Sequence, residues 1–345
     1  MKAVVAPVAV GALLLTGCVA ESDTSPGDVT PSDVATPETR TVVATTTVLG
    51  SITEQIGRCA GNTDVEVLMP LGIDPHDYQP SSAQLATVAD AGFVVANGLF
   101  LEESLVEPLE ELEAQGGIVF RMGEVIDPLP FGGHDDSDDH GEDHASDDGH
   151  DRGHDDEHSG EDNAEDSHAH GSEDPHFWMD MNRVADGTEV LGRELAEQFG
   201  AEFAACGEEV AASIRAAEQE VVGVLEAIPD DRRILVTDHD ALGYFAERYG
   251  FRVAGVVIPG GSTLAEASSQ DLAELVQRIE ELGLEAMFGN FHVPSDLLDA
   301  VAEESGGIEV VPLYIGSIGQ PGSEQESYQA MMLYDARQIA QALGN

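Results

Sequence analysis

The chain has 345 residues, of which 42% are apolar, so it is long enough to build one large or two medium domains with substantial cores. It carries 67 acidic residues against 14 Lys and Arg, which gives a formal net charge of -53. Such a surface repels nucleic acid and anionic lipid headgroups and attracts cations without selecting among them. The composition therefore excludes a nucleic-acid-binding protein, and a generally acidic or salt-adapted surface accounts for most of the charge.

The amino terminus is typical of an exported lipoprotein. Lys2 is followed by an apolar run that is too short to span a bilayer as a mature helix, and the run ends in "LTGC" at 15–18. We expect a signal peptide over residues 1–17, cleavage before Cys18 and lipidation of its sulfur; an ordinary signal peptide with an accidental Cys18 is the alternative. Residues 18–40, rich in Thr, Ser, Pro and acids, are predicted to be a flexible tether. The protein is then held at the outer face of the cell membrane.

Strands and helices alternate along the first part of the mature chain, which predicts a parallel sheet. Runs of β-branched and apolar residues predict strands at 41–49, 65–69, 93–96 and 118–121. Segments with helical spacing of apolar residues predict helices at 51–58, 81–89 and 101–114.

Residues 133–172 consist almost wholly of Asp, Glu, His, Gly and Ser and carry eight of the 12 histidines. This composition cannot bury a core, so we expect a disordered insertion in the first lobe. Imidazoles spaced between acids favour weak capture of soft or borderline cations. A solvated acidic loop with no metal role is the alternative.

Two helices are predicted after the insertion, at 180–199 and at 201–227, and the second is long and free of Pro. A second alternating set follows, with strands at 234–237, 252–257, 286–289 and 309–312 and helices at 241–249, 269–282, 295–304 and 325–343. The simplest interpretation is an α/β fold of two similar lobes, each with a central, mostly parallel sheet, joined by one long helix. We assign residues 41–199 to the amino-terminal lobe, 200–228 to the linking helix and 229–345 to the carboxyl-terminal lobe.

Two cysteines remain after Cys18. Cys59 and Cys206 would lie in an oxidising compartment, where cysteines tend to pair. A single disulfide and two buried thiols both fit this sequence.

Four histidines lie outside the insertion, and three of them have informative surroundings. His76 and His176 both follow Asp-Pro, in "GIDPHDYQP" and "SEDPHFWMD", where the proline limits local freedom. His239 follows a predicted buried strand, and its neighbours Asp238 and Asp240 are candidates to orient the ring or to cap the next helix. Because loops at the carboxyl ends of parallel strands face the binding crevice, these histidines are candidate metal ligands.

The sequence resembles the metal receptors of bacterial ABC importers for zinc and manganese. The resemblance runs through "VVATTTVLGSITEQI", "LMPLGIDPHDYQPSSAQLATVADAGFVVANGLFLE", "DPHFWMD", "VTDHDALGYFAERYGF", "SSQDLAELVQRIEELGLEAMF" and "SYQAMMLYDARQIAQAL". It implies that the long helix is rigid and that a metal ion is held between the lobes. The implied ligands are His76 and His176 from the amino-terminal lobe and His239 from the carboxyl-terminal lobe.

The donor set favours zinc. Three neutral imidazoles suit Zn(II), whereas manganese sites lean on carboxylate oxygens. Manganese receptors of the family tend to have Glu where this chain has His239, and a His-rich loop is a feature of the zinc members. The family's fourth ligand, a carboxylate, is replaced here by Gly316, and a Glu common in a neighbouring loop is Asn290. The fourth place then falls to water, to a neighbouring carboxylate or to His292, which reads equally well as an ordinary loop residue.

The resemblance implies an extracytoplasmic solute-binding protein, not an enzyme, that captures Zn(II), or less readily Mn(II), and delivers it to the permease of an ABC importer. Two other functions stay open. A zinc hydrolase also holds its metal by three histidines with an open fourth place, although the chain has no H-E-x-x-H motif. A surface metal buffer or adhesin would use the acidic insertion as its working part.

Overall fold

The computed structural model describes residues 40–61, 63–131, 173–260, 263–293 and 295–344. The predicted signal peptide with Cys18, nearly all of the tether and the whole predicted insertion at 133–172 lie outside these residues. No helix within the described part of the chain is long and apolar enough to cross a membrane.

The amino-terminal half forms a parallel sheet, as predicted. Its strands run in the order β2-β1-β3-β4, with bounds β1 Arg40–Ala44, β2 Thr63–Val67, β3 Phe93–Ala96 and β4 Ile118–Arg121. The accompanying helices are α1 Thr47–Ala60, α2 Ser82–Asp90 and α3 Val106–Ala114. Each strand is followed by helical structure, which gives the alternation that the sequence indicated.

Two long helices separate this sheet from the second one. They are α4 Met181–Phe199 and α5 Glu202–Leu225, and α5 packs against α4 and α1. Gly192 and Gly207 let α4 and α5 approach closely, because a Cβ added at either glycine would lie 2.7 Å from the Cα of the other. A disulfide between Cys59 and Cys206 also bonds α1 to α5, with 5.7 Å between the two Cα atoms.

The carboxyl-terminal half repeats the design of the first. Its parallel strands run in the order β6-β5-β7-β8, with bounds β5 Ile234–His239, β6 Arg252–Ile258, β7 Ala286–Asn290 and β8 Glu309–Leu313. The helices are α6 Gly243–Tyr249, α7 Ser269–Leu282, α8 Asp296–Glu304 and α9 Tyr328–Leu343. The last helix, α9, returns to pack on α5. Two similar α/β lobes are therefore present, and α5 contacts helices that belong to both.

The apolar core has one central part and two outer parts. Successive residues of β1 point to opposite faces of the sheet, so Val42 belongs to the central core and Val43 to an outer one under α2 and α3. In the second sheet Leu235 faces the central core and Val236 an outer core under α7 and α8. The central core runs without interruption from one sheet to the other through α1, α4, α5, α6 and α9.

The prediction for the first strand is wrong in its length. A strand was expected over 41–49, but β1 ends at Ala44 and α1 begins at Thr47. The hydroxyl of Thr46 accepts a hydrogen bond from the backbone N–H of Leu49 at 3.3 Å, which caps the helix. The β-branched run favours a strand, and the cap overrides that preference.

Candidate metal centre

Three of the predicted histidines meet in one buried group. The ring centroids of His76, His176 and His239 lie 5.2 to 6.1 Å apart, and each ring offers a nitrogen within 4.8 Å of the others. The Nε2 atoms of His76 and His176 are 3.1 Å apart. Among the described residues this is the only group of three or more His, Cys, Asp or Glu that could hold a metal ion.

Each histidine is delivered by a segment at the end of a strand or at the start of a helix. His76 lies in the loop that follows β2, and His239 is the last residue of β5. His176 precedes a 3-10 turn, Phe177–Met179, that leads into α4. The carboxyl ends of parallel strands border the binding crevice in such folds, which is the geometry on which the sequence prediction depended.

Two of the three rings are oriented by a carboxylate. The Oδ1 atom of Asp174 accepts from Nδ1 of His176 at 2.7 Å, and Oδ1 of Asp238 accepts from Nδ1 of His239 at 2.8 Å. A carboxylate can only accept here, so each Nδ1 carries the proton and each Nε2 keeps its lone pair for a metal. Asp238 was one of two candidates for orienting the His239 ring, with helix capping as the alternative, and the structure gives it the contact with the ring. The role of Asp174 was missed, and the one sequence signal for it was a carboxylate two residues before the histidine.

The buried site disfavours a proton on His76. Burial, followed by the nearby charges of His176 and His239, lowers the pKa of His76 to about 2. For His239 the largest effect is burial, which opposes the charged form, but the Asp238 carboxylate outweighs it and raises the pKa of that imidazole. His76 is therefore a neutral imidazole at neutral pH and offers a lone pair to a cation.

The loop after β8 hydrogen-bonds to segments that flank the three histidines. The indole N–H of Trp178 donates to the carbonyl of Ile315 at 2.7 Å, and the Trp178 ring lies 5.2 Å from the His176 ring. The Ser317 hydroxyl accepts from the backbone N–H of Gly72 at 3.1 Å and from the Thr47 hydroxyl at 3.2 Å. These bonds hold the loop against segments of the amino-terminal lobe.

Gly316 lies between Ile315 and Ser317 in this loop. A Cβ added there would sit 3.4 Å from Pro75 Cδ and 3.5 Å from the side-chain nitrogen of Asn290, which are ordinary contact distances. The position therefore has room for a side chain directly beside the residue that precedes His76.

His292 does not join the group of converging nitrogens, so the structure does not place it as a fourth ligand. Its ring packs edge-on against Phe291 and Tyr314, with centroids 5.2 and 5.1 Å away. His292 does follow the end of a strand, β7, as predicted, but its ring packs on these aromatic side chains and not with the other three histidines. Asn290 instead supports the site through its backbone N–H, which donates to Oδ2 of Asp238 at 3.0 Å.

Two similar parallel-sheet lobes that enclose a buried set of polar side chains define the class of two-lobed solute-binding receptors. The family described as zinc-uptake complex component A, periplasmic (ZnuA), matches residues 42–342, and the chain belongs to that family. It is therefore a metal-binding solute receptor of an ABC importer, a component that works outside the cytoplasm.

Relatives named as manganese receptors and as zinc receptors both match the chain. The chain is 26% identical over 330 residues to the manganese-binding lipoprotein MntA of Halalkalibacterium halodurans, covering 94% of this chain and 92% of the relative. It is 25% identical over 306 residues to the zinc-binding protein TroA of Treponema pallidum, covering 86% and 87%. The solved structure of that TroA superposes with a TM-score of 0.71 at 23% identity, over 89% of this chain and 99% of the other.

Proposed function

We propose that this receptor captures Zn(II) outside the cell and delivers it to the permease of an ABC importer, with His76, His176 and His239 as the protein ligands. The observation that carries the proposal is a buried group of three imidazoles, to which the described part of the chain adds no carboxylate among the converging atoms. Zinc accepts nitrogen donors in a tetrahedral arrangement, whereas manganese prefers oxygen donors.

The spacing of the nitrogens is compatible with a bound zinc ion. Two imidazole nitrogens bound to a tetrahedral zinc ion at about 2.0–2.1 Å lie roughly 3.3–3.4 Å from each other. The Nε2 atoms of His76 and His176 are 3.1 Å apart, and the group as a whole spans at most 4.8 Å. Small movements of the rings are enough to complete three zinc bonds, and water is the proposed fourth ligand.

Names of relatives do not decide the metal, since they include manganese and zinc receptors. The chain's own residues favour zinc, because position 239 is His and position 316 is Gly, so two places that could supply oxygen ligands do not. Receptors of this family bind the metal as cargo and do not use it for catalysis. A hydrolase is therefore not proposed.

We also propose that the receptor is anchored by a lipid on Cys18. The support is the "LTGC" sequence at 15–18 and the lipoprotein names of relatives such as MntA. Metabolic labelling with a fatty acid should mark the wild-type protein and not Cys18→Ala. Label on both proteins, or on neither, would contradict the anchor.

The metal assignment is tested by competition titration of the full chain against a chelator that buffers free zinc at nanomolar levels, so that weak sites stay empty. We expect one tight zinc site and weaker binding of manganese. Replacing His76 and His239 by Ala should lower the zinc affinity by more than about 100-fold, since even outer partners of a ligand account for 10–100-fold.

His292→Ala is the matched control, because this histidine lies near the site but outside the converging group. It should keep the wild-type affinity. A tight zinc site that survives the double replacement, or a wild-type protein that prefers manganese, would overturn the proposal.

The Gly316 position offers a sharper test of metal choice. Gly316→Asp adds a carboxylate beside Pro75, and we expect the ratio of manganese to zinc affinity to rise at least about tenfold, or about 1.4 kcal/mol. Gly316→Ala is the control, since it fills the same space without an oxygen donor and should leave the ratio unchanged. Equal ratios in the two variants would show that position 316 does not reach the metal.

A further inference from the structure

Tyr244 joins two distant segments beside the metal site. It is fully buried on α6, five residues after His239. Its hydroxyl donates to the carbonyl of Asp174 at 2.8 Å and accepts from the backbone N–H of Leu129 at 2.9 Å. The backbone N–H of Asp174 in turn donates to the carbonyl of Leu129 at 2.7 Å. Two chain segments and one helix therefore meet at a single hydroxyl group.

This meeting point is directly connected to His176. The side chain of Asp174 accepts from both the backbone N–H and the ring Nδ1 of His176, at 2.9 and 2.7 Å. A shift of the Asp174 backbone would therefore move the His176 ring. Because Tyr244 follows His239 on the same strand-to-helix segment, its hydroxyl ties the segment of one metal ligand to the segment of another.

A second anchor holds the same peptide from the other lobe. The side-chain N–H of Asn97 donates to the carbonyl of Pro175 at 3.0 Å. Asn97 is itself fixed by the buried carboxylate of Glu102, which accepts from its backbone N–H at 2.7 Å. Tyr244 of the carboxyl-terminal lobe thus hydrogen-bonds the carbonyl of Asp174, and Asn97 of the amino-terminal lobe hydrogen-bonds the next carbonyl, that of Pro175.

We propose that Tyr244 is a positioning residue for metal capture, whose hydroxyl sets the placement of His176 relative to His239. It touches neither the metal nor the ligand rings and acts through Asp174. The inference rests on the proposed function, because it assumes that these two histidines bind the ion. It adds a residue of the carboxyl-terminal lobe that controls a ligand of the amino-terminal lobe.

The test is Tyr244→Phe, which removes only the hydroxyl. In the full-length, metal-free protein we expect the zinc dissociation constant, measured against a chelator, to rise about tenfold, the lower end of the 10–100-fold range for outer partners. Zinc release to excess chelator should be faster. Tyr249→Phe is the matched control: it lies on the same helix, it also removes only a buried hydroxyl, and that hydroxyl takes no part in the hydrogen bonds that join Tyr244 to Asp174 and Leu129. It should keep wild-type zinc binding.

A cobalt(II) spectrum separates positioning from general stability. At chelator-buffered cobalt, the visible absorption reports the geometry of the ligands, and we expect it to change in Tyr244→Phe and not in Tyr249→Phe. Thermal unfolding of the metal-free proteins shows whether each variant folds. Wild-type affinity and spectrum in a folded Tyr244→Phe would overturn the inference.

Two further outcomes are distinguishable. If Tyr244→Phe does not fold, the same measurements are made on Asn97→Ala, which removes the hydrogen bond to the carbonyl of Pro175. An unchanged zinc affinity and cobalt spectrum in that variant would contradict the control of His176 through its preceding carbonyls. If the wild-type protein itself shows no tight zinc site, the proposed function fails, whereas tight wild-type binding that Tyr244→Phe leaves intact removes this inference alone.

Discussion

The same tripeptide, Asp-Pro-His, occurs at 74–76 and at 174–176, and the structure uses its two copies differently. In both copies the aspartate accepts from the backbone N–H of the histidine, at 3.0 and 2.9 Å. In the second copy the same oxygen also holds the ring nitrogen of His176. In the first copy the free oxygen of Asp74 reaches across the site instead, and accepts from the Thr263 hydroxyl at 2.6 Å.

The difference separates two tasks that a carboxylate can perform next to a metal ligand. Asp174 fixes the orientation and proton position of a ring, whereas Asp74 shapes the local turn and connects a loop of one lobe to a loop of the other. Identical local sequence sets the turn, which depends on neighbouring residues. What the ring of each histidine contacts depends on distant segments that the tripeptide does not encode.

Among replacements of the two aspartates, the largest effect is expected from Asp174→Ala. It removes the one carboxylate that the described residues place on the His176 ring, so zinc affinity should fall about 10–100-fold. Asp174→Asn keeps an acceptor oxygen without the charge and should lie between the wild type and Asp174→Ala. Chelator competition gives the three affinities, and equal values for all three would contradict an orienting role for Asp174.

A smaller effect is expected from Asp74→Ala. The ring of His76 does not depend on this carboxylate, so zinc affinity should fall by less than about tenfold. Thr263→Val removes only the bond across the site and serves as its control, with a still smaller loss. If Asp74→Ala weakened zinc binding as much as Asp174→Ala, the two aspartates would be equally important for the site, which would contradict their different roles.

Much of the fold follows from local patterns in the sequence. The short apolar strands at 93–96 and 118–121 and the helix at 269–282 agree with the structure in both bounds. They are confirmed because their hydrophobic periodicity and flanking residues agree with each other. The strand predicted at 41–49 fails where two preferences conflict, since Thr46 caps a helix inside a run of β-branched residues.

In the site, too, the local sequence predicts some features, whereas others depend on distant contacts. The rule about strand ends is enough to place His76 and His239 near one crevice, whereas His176 precedes a 3-10 turn and its place in the set depended on the family resemblance. The structure brings the three rings together. That rule gives no ring direction, so it also admitted His292, whose ring packs on Tyr314 instead. The bond from Tyr244 to Asp174 joins residues 70 positions apart, and no local pattern of one sequence records such a contact.

The uninterrupted central core has a consequence for how cargo leaves this receptor. Separating the two sheets would expose the apolar central core along α5 to water. The free energy required increases with the apolar area that is exposed. The Cys59–Cys206 disulfide adds a covalent bond between α1 and α5, which both line this core. We therefore expect release of the metal to involve movement of the loops around the three histidines rather than separation of the two sheets.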